Sequence, residues 1–319
     1  MRRRKPSPIW YAGLLVVLLL GAGCQPRSQA KPVHLYRTQQ LASDPVRYAN
    51  RMPLRVAVAS MISPKSTFTT YQDLLHFLGE ELGRSTQMIQ RPTYAAVNEL
   101  VRTGQVDMAF VCTRAYVEGH DAFGMELLAV PQIQNESVYH AYIIVSTKSD
   151  IYSLADLRGH NFAFTDPLSN TGHLVPLYLL LKMGEKPETF FARTTFTYSH
   201  DNSIHSVAEG LLDAAAVDSL VYDQLVKQEP SIAEKTRIIY RSPPYGAPPV
   251  VVHPNLNPEL KDALQQQLLH LHETREGQQI LGRLAIDRFV LPDDRAYDTI
   301  RTMIKEVVGG GEPSRSAQR

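Results

Sequence analysis

Two hydrophobic periods take turns along most of this chain. Leu54 to Val58, LRVAV, is an apolar and β-branched run that suits a buried strand. From Tyr71 to Leu82 the apolar residues Leu74, Leu75, Phe77, Leu78 and Leu82 keep helical spacing, with Gly83 as the stop. Met88 to Gln90 predicts a short strand. Ala95 to Arg102 predicts a helix ending near Gly104, and Val106 to Cys112, VDMAFVC, another strand. This alternation predicts an α/β layer with a mostly parallel sheet.

After Tyr139 to Ser146, YHAYIIVS, the rhythm starts again. Leu154 to Gly159 reads as a helical turn, Asn161 to Thr165 as a strand and Leu174 to Met183 as a helix. Strands follow at Thr194 to Tyr198, Ala214 to Val217 and Thr236 to Tyr240. Helices are predicted over Ser203 to Leu211 and from Tyr222 onward. Ser242 to Pro249 is rich in proline and reads as a stiff connection. Pro258 to His272 and Tyr297 to Val308 are the last helices. Two α/β units with two chain crossings predict one lobe of residues 52–145 plus 246–308 and another of 146–245. Ligands in such folds sit outside the carboxyl ends of strands, here also the cleft between lobes. Ser60 to Thr67, Thr113 and Asp166 to Gly172 fall there.

The chain ends change the picture. Arg2, Arg3, Arg4 and Lys5 precede an apolar stretch from Ile9 to Leu20, too short for a spanning helix of about 20 residues. Small residues and Cys24 follow, which reads as a secretory signal over 1–24. It looks like a bacterial lipobox, with Cys24 lipidated and the chain anchored to a membrane outside the cytoplasm. The pattern's usual Leu three before the Cys is Gly21 here, with Leu20 one earlier. Residues 25–51 read as a tether and 309–319 as a disordered tail.

Only two Cys occur among 319 residues, so Cys112 has no partner once Cys24 is lipidated. Cys112 is expected to be a partly buried side chain rather than a nucleophile. Lys plus Arg number 33 against 32 Asp plus Glu, and no basic stripe appears, so nucleic acid is not an expected partner. No cofactor is expected. His200 and His205 lack the neighbouring Cys or paired carboxylates of a metal site.

The chemistry concentrates at strand-to-helix junctions. Ser169, Asn170, Thr171 and Gly172 follow a predicted strand and precede a helix. Two readings stand. The residues cap the helix, or their hydroxyls join the unpaired N–H groups of the helix start to hold an anion. His200 and Asp201 sit in the same kind of position. Either Asp201 caps a helix beside an incidental His, or His200 meets an anion while Asp201 orients its ring or accepts a proton from the ligand. Tyr94 and Tyr139 are placed near the cleft, each as packing or as a hydrogen-bond donor.

Taken in order, DPLSNTG, the SHD after a strand, LLDAAAVDS, TYAAVNELVRTGQVDMAF and EGQQILGRLAIDRFV resemble the PhnD-like group. These are the phosphate-, phosphite- and phosphonate-binding proteins of bacterial ABC transporters. The resemblance covers about Leu54 to Ile304. It implies a type II periplasmic-binding-protein fold, two α/β lobes closing on a ligand, and delivery of a small oxyanion to an ABC permease. The family's Ser-Thr-Ser-Gly loop matches Ser169, Asn170, Thr171 and Gly172, with an amide replacing the middle hydroxyl. Its His matches His200, and its two Tyr match Tyr94 and Tyr139. One carboxylate that family members use for a ligand amine falls near Leu220, and another meets Pro248. Asp218 is near enough to the first to substitute. With no clear ammonium partner, phosphate, phosphite or methylphosphonate is favoured over 2-aminoethylphosphonate. The same domain in a sensing lipoprotein is the alternative role. A monomer is expected. Catalysis is not: His200 and Asp201 have no second carboxylate cluster, GxSxG elbow or metal set beside them.

Overall fold

The computed structural model describes residues 52–309. The signal segment with Cys24, the tether 25–51 and the tail beyond Gly309 lie outside the described residues.

The chain opens with β1 (Leu54–Ala59), β2 (Thr86–Arg91), β3 (Met108–Phe110) and β4 (Glu126–Gln132). It passes through β5 (Val138–Tyr139) into β6 (Ala141–Ser146), β7 (Asn161–Phe164), β8 (Arg193–Phe196), β9 (Ala214–Asp218) and β10 (Thr236–Arg241). It returns through β11 (Tyr245–Gly246) to β12 (Val250–Val252) and β13 (Arg288–Val290). Six strands form one sheet in the order β13-β4-β12-β3-β1-β2, and five form a second, β10-β6-β9-β7-β8. β5 and β11 pair only with each other, Tyr139 opposite Tyr245 and Gly246 opposite Val138.

Both sheets are buried on two faces, which explains the unbroken apolar runs. Along β1 the side chains alternate sides. Leu54, Val56 and Val58 pack with Leu74, Leu75, Phe77 and Leu78 of the helix Pro64–Glu81. Ala57 and Ala59 face Val97, Leu100 and Val101 of the helix Tyr94–Arg102. In β6, Ile143 and Val145 face one core and Tyr142 and Ile144 the other. The helix stops fall where the sequence puts them: Gly83 and Gly104 take φ of +62° and +64°, the left-handed backbone that glycine adopts without strain.

Three expectations change. The first sheet is mixed rather than mostly parallel. β1 pairs in parallel with β2 and β3, but β12 runs antiparallel between β3 and β4, and β13 antiparallel to β4. Helical crossovers keep strands parallel. β12 comes back from the other sheet without such a crossover, so it enters reversed. Second, the run YHAYIIVS breaks at His140. Only Val138–Tyr139 stays at the crossing, while Ala141–Ser146 pairs with β9 and β10. Residues 141–145, expected in the first lobe, thus belong to the second sheet. Third, the proline-rich connection holds the short strand β11. Its proline-free dipeptide Tyr245-Gly246 supplies the backbone for that pairing.

Candidate functional site

The stretch Thr165–Gly172 follows the carboxyl end of β7. Ser169 caps the next helical segment: its Oγ accepts from the Gly172 N–H at 3.0 Å. Asn170–Leu174 then form a wide π-helical turn before the helix Val175–Lys182. Such turns recur at functional sites. The glycine is required by space, because a Cβ on Gly172 would stand 2.4 Å from Thr165 Oγ1 and 3.0 Å from Ser169 Oγ. So capping holds for Ser169. For Thr171 it does not: its Oγ1 is buried without a partner. The Asn170 backbone N–H is directed at the Cys112 sulfur, 3.5 Å away.

His200 begins the helix His200–Ala208, after a turn in which Tyr198 takes φ of +59°. That left-handed value is strained for a non-glycine residue. Its ring Nδ1 accepts the Asp218 backbone N–H at 3.1 Å, and Thr165 Oγ1 lies 3.1 Å from the same nitrogen. An Nδ1 that accepts places the proton on Nε2. Burial, only partly opposed by Asp201, holds the ring pKa down at about 3, so the imidazole is neutral. Nε2 is buried with no acceptor in the protein. Asp218 and Thr165 orient this ring. Asp201, which the sequence offered for that role, does not.

Five buried polar atoms on these segments lack partners: Tyr94 Oη, Asn170 Oδ1, Thr171 Oγ1, Ser199 Oγ and His200 Nε2. Each such atom costs about 1–3 kcal/mol unless something polar meets it. Tyr139 stands among them, its Oη 2.6 Å from Thr113 Oγ1 and accepting from Asn170 Nδ2 at 3.1 Å. Tyr94 lies near the ionisable groups of Cys112, Asp166, Asp218 and Tyr139. Burial first, and then those neighbours, hold its phenol pKa well above the ordinary value. Ser199 and Thr165 were not singled out from the sequence, whereas Thr113 was placed at the cleft by its position after the third strand. Ser199 had a usable signal, since like Ser169 it is a hydroxyl just ahead of a helix.

The carboxylates have other partners. Both oxygens of Asp201 accept the Ser63 backbone N–H, at 3.0 and 2.9 Å, and the His200 N–H donates to Met61 O at 2.9 Å. Asp166 accepts the Tyr94 N–H at 3.2 Å and the Leu168 N–H at 2.8 Å. All but the local Leu168 bond join segments of the first sheet's side to loops of the second. Asp218 caps the helix Ser219–Gln228, its Oδ1 accepting from Leu220 N–H at 2.7 Å. Burial raises its pKa to about 7.

Hydrogen bonds between Tyr139 and both Asn170 and Thr113, and between His200 and the Asp218 N–H with Thr165 beside it, tie these residues into a small buried polar cradle. Beside it a cavity of about 560 Å³ is lined from both sheets and shares Tyr139, Asp201 and Asp218 with it. Pro248 lines that cavity, as does Leu220. Among the described residues, no group of three His, Cys, Asp or Glu is placed to hold a metal ion.

Comparison with known proteins gives the family and the fold. Residues 56–297 match the family described as the periplasmic substrate-binding protein of phosphonate ABC transporters. The phosphonates-binding periplasmic protein of Escherichia coli is 25% identical over 263 residues, covering 80% of this chain and 78% of that one. A binding-protein component of an ABC phosphonate transporter from Pseudomonas aeruginosa superposes with a TM-score of 0.77 at 24% identity, covering 81% of this chain and 88% of that one. A Prochlorococcus marinus PhnD1 structure in complex with methylphosphonate gives 0.73 at 19% identity, covering 81% and 98%.

The two hydroxyls of the turn separate in a stability measurement. Ser169→Ala is expected to cost about 1 kcal/mol in urea unfolding without added anion. Thr171→Ala is expected to change stability by less than about 0.5 kcal/mol or to raise it, because its hydroxyl has no partner to lose. The reverse order would mean that Thr171, not Ser169, holds the turn.

Proposed function

Because the chain belongs to the phosphonate family of periplasmic substrate-binding proteins of ABC transporters, we propose that it captures a phosphorus oxyanion in this cradle and delivers it to a permease. One observation carries the reading: the partnerless buried atoms Tyr94 Oη, Thr171 Oγ1, Ser199 Oγ and His200 Nε2 are all able to donate. A tetrahedral oxyanion needs several convergent donors, and charge-assisted bonds to it are short and strong. No cationic side chain is among them, so the site neutralises its ligand by dipoles and N–H groups rather than by ion pairing. Phosphate, phosphite and alkylphosphonates fit this chemistry. The lobes, one around each large sheet, close on the ligand through the bonds of Asp201 and Asp166, and the permease reads the closed form. The protein acts as a monomer.

Calorimetric titration of the ligand-stripped protein tests this. Methylphosphonate or phosphate should bind, sulfate should not, and Thr171→Ala should lose about 1.5–3 kcal/mol of binding, roughly 10- to 150-fold. Unchanged affinity in that variant, or equal binding of sulfate, would sink the proposal.

Asp218 sets the pH dependence. Its carboxyl, raised to about 7 by burial, is neutral below that pH and repels an anion above it. Its protonated form also stabilises the folded chain below about pH 4, a contribution lost as pH rises through 7. Affinity for methylphosphonate is expected to fall as pH passes 7. Asp218→Asn, which keeps the cap oxygen, should flatten that fall relative to the wild type. Parallel curves for the two proteins would remove Asp218 from the site.

We also propose that Cys24 carries a lipid that anchors the protein outside the cytoplasm. The basic, apolar and small-residue pattern ahead of it supports this. Among the described residues no helix is long and apolar enough to cross a membrane. Cys24→Ala should move the protein from the membrane fraction to the soluble fraction. Continued sedimentation with membranes would show that another element holds it.

A further inference from the structure

The cavity beside the cradle is far larger than a simple oxyanion requires. Its 560 Å³ lies within the ~300–1,000 Å³ typical of pockets for drug-sized ligands. It is not the gap of parted lobes, because the bonds Asp201–Ser63, His200–Met61 and Asp166–Tyr94 already join the two sides. Its walls are fixed by packing. On the first-sheet side Tyr71 meets Phe110 edge-on at 4.8 Å, and Phe289 lies 6.5 Å beyond. On the other side the Tyr142 ring carries the Arg241 guanidinium at 4.6 Å, and its hydroxyl donates to Asp223 at 3.3 Å.

The lining is mixed in a way that specifies a ligand. Aromatic side chains share the lining with uncharged hydrogen-bonding ones, Thr70, Gln134 and Gln224 among them. The basic groups Arg241, Lys227 and Arg283 share the wall with the acidic Glu136, Asp201, Asp218 and Asp223, and both oxygens of Asp201 already accept the Ser63 N–H, so neither sign of charge dominates the lining. Such a wall suits a neutral, polar organic group with an apolar face. The floor holds Tyr139 and Asp218, both beside the anion cradle. A ligand seated by its phosphoryl group would therefore direct its substituent into this space.

We propose that the ligand is a substituted phosphorus compound, a phosphate monoester or phosphonate whose neutral polar substituent is about the size of a sugar, with the phosphoryl group in the cradle and the substituent in this cavity. This rests on the reading of the cradle as a phosphorus oxyanion site. A methyl group or a hydrogen would leave most of an aromatic-walled volume without ligand contact, whereas a sugar-sized group would contact both walls.

The test uses ligand-stripped protein and two probes, methylphosphonate and glucose 1-phosphate, titrated by calorimetry. The larger probe is expected to bind at least tenfold tighter. Thr70→Trp and Gln224→Trp, on opposite walls and outside the cradle, should each remove that advantage while leaving methylphosphonate within twofold. Circular dichroism on each variant confirms folding before titration. Methylphosphonate binding as tightly as glucose 1-phosphate overturns the inference and leaves the oxyanion reading standing. So does a preference that both Trp variants leave unchanged. If neither probe binds, both readings fall.

Discussion

The structure turns on a two-residue pairing. Val138-Tyr139 and Tyr245-Gly246 form a short antiparallel ribbon that carries both passages of chain between the large sheets. Tyr139 and Tyr245 are opposite each other there, rings edge-on at 6.3 Å. Two short segments with one ladder between them are a narrow connection, and small backbone rotations in such places give large displacements of what they join. The same Tyr139 puts its hydroxyl against Thr113 and Asn170. One residue thus belongs both to the connection and to the cradle, so the position of the sheets and the shape of the site are set together.

Electrostatics explains why the cradle is built of neutral donors. Its residues are buried, and a buried charge without a partner is costly. His200 meets that constraint by losing its charge, its proton fixed on Nε2 by the Asp218 N–H at Nδ1. Asp218 meets it in the opposite direction, its pKa raised by the same burial. The carboxylates of Asp166 and Asp201 are spent on backbone N–H groups of the facing loops. An anion brought among the remaining donors would supply the charge that the site itself lacks. The left-handed Tyr198, the tight Gly172 and the wide turn at Asn170–Leu174 all fall in the segments that carry those donors.

Much of this was legible in the chain. Strands and helices followed from period, since β1, the helix Pro64–Glu81 and the glycine stops are local consequences of side-chain spacing and backbone freedom. The junctions at Ser169–Gly172 and His200 were legible as well, because a hydroxyl or polar residue between a strand and a helix is a local signal. The family resemblance added which of these junctions face one another. What local signals left open was the division of labour at each junction: Ser169 as cap and Thr171 as partnerless hydroxyl, Asp201 as a bond to Ser63 rather than a support for His200.

The sequence by itself determined the strongly periodic elements, the α/β class and the identity of the polar residues at the strand ends, because each depends on neighbours within a few positions; the short strands β11, β12 and β13 carry too few residues for a period to show. Only the tertiary structure decided the rest. β12 reverses direction because it returns from the other sheet, and Ala141–Ser146 joins the second sheet because its pairing partners lie about 70 to 100 residues later. His200 takes its tautomer from an N–H eighteen residues away, and Asp218 its raised pKa from burial. Pairing direction, tautomer and desolvation depend on which distant groups meet. No local pattern of apolar and polar positions records that.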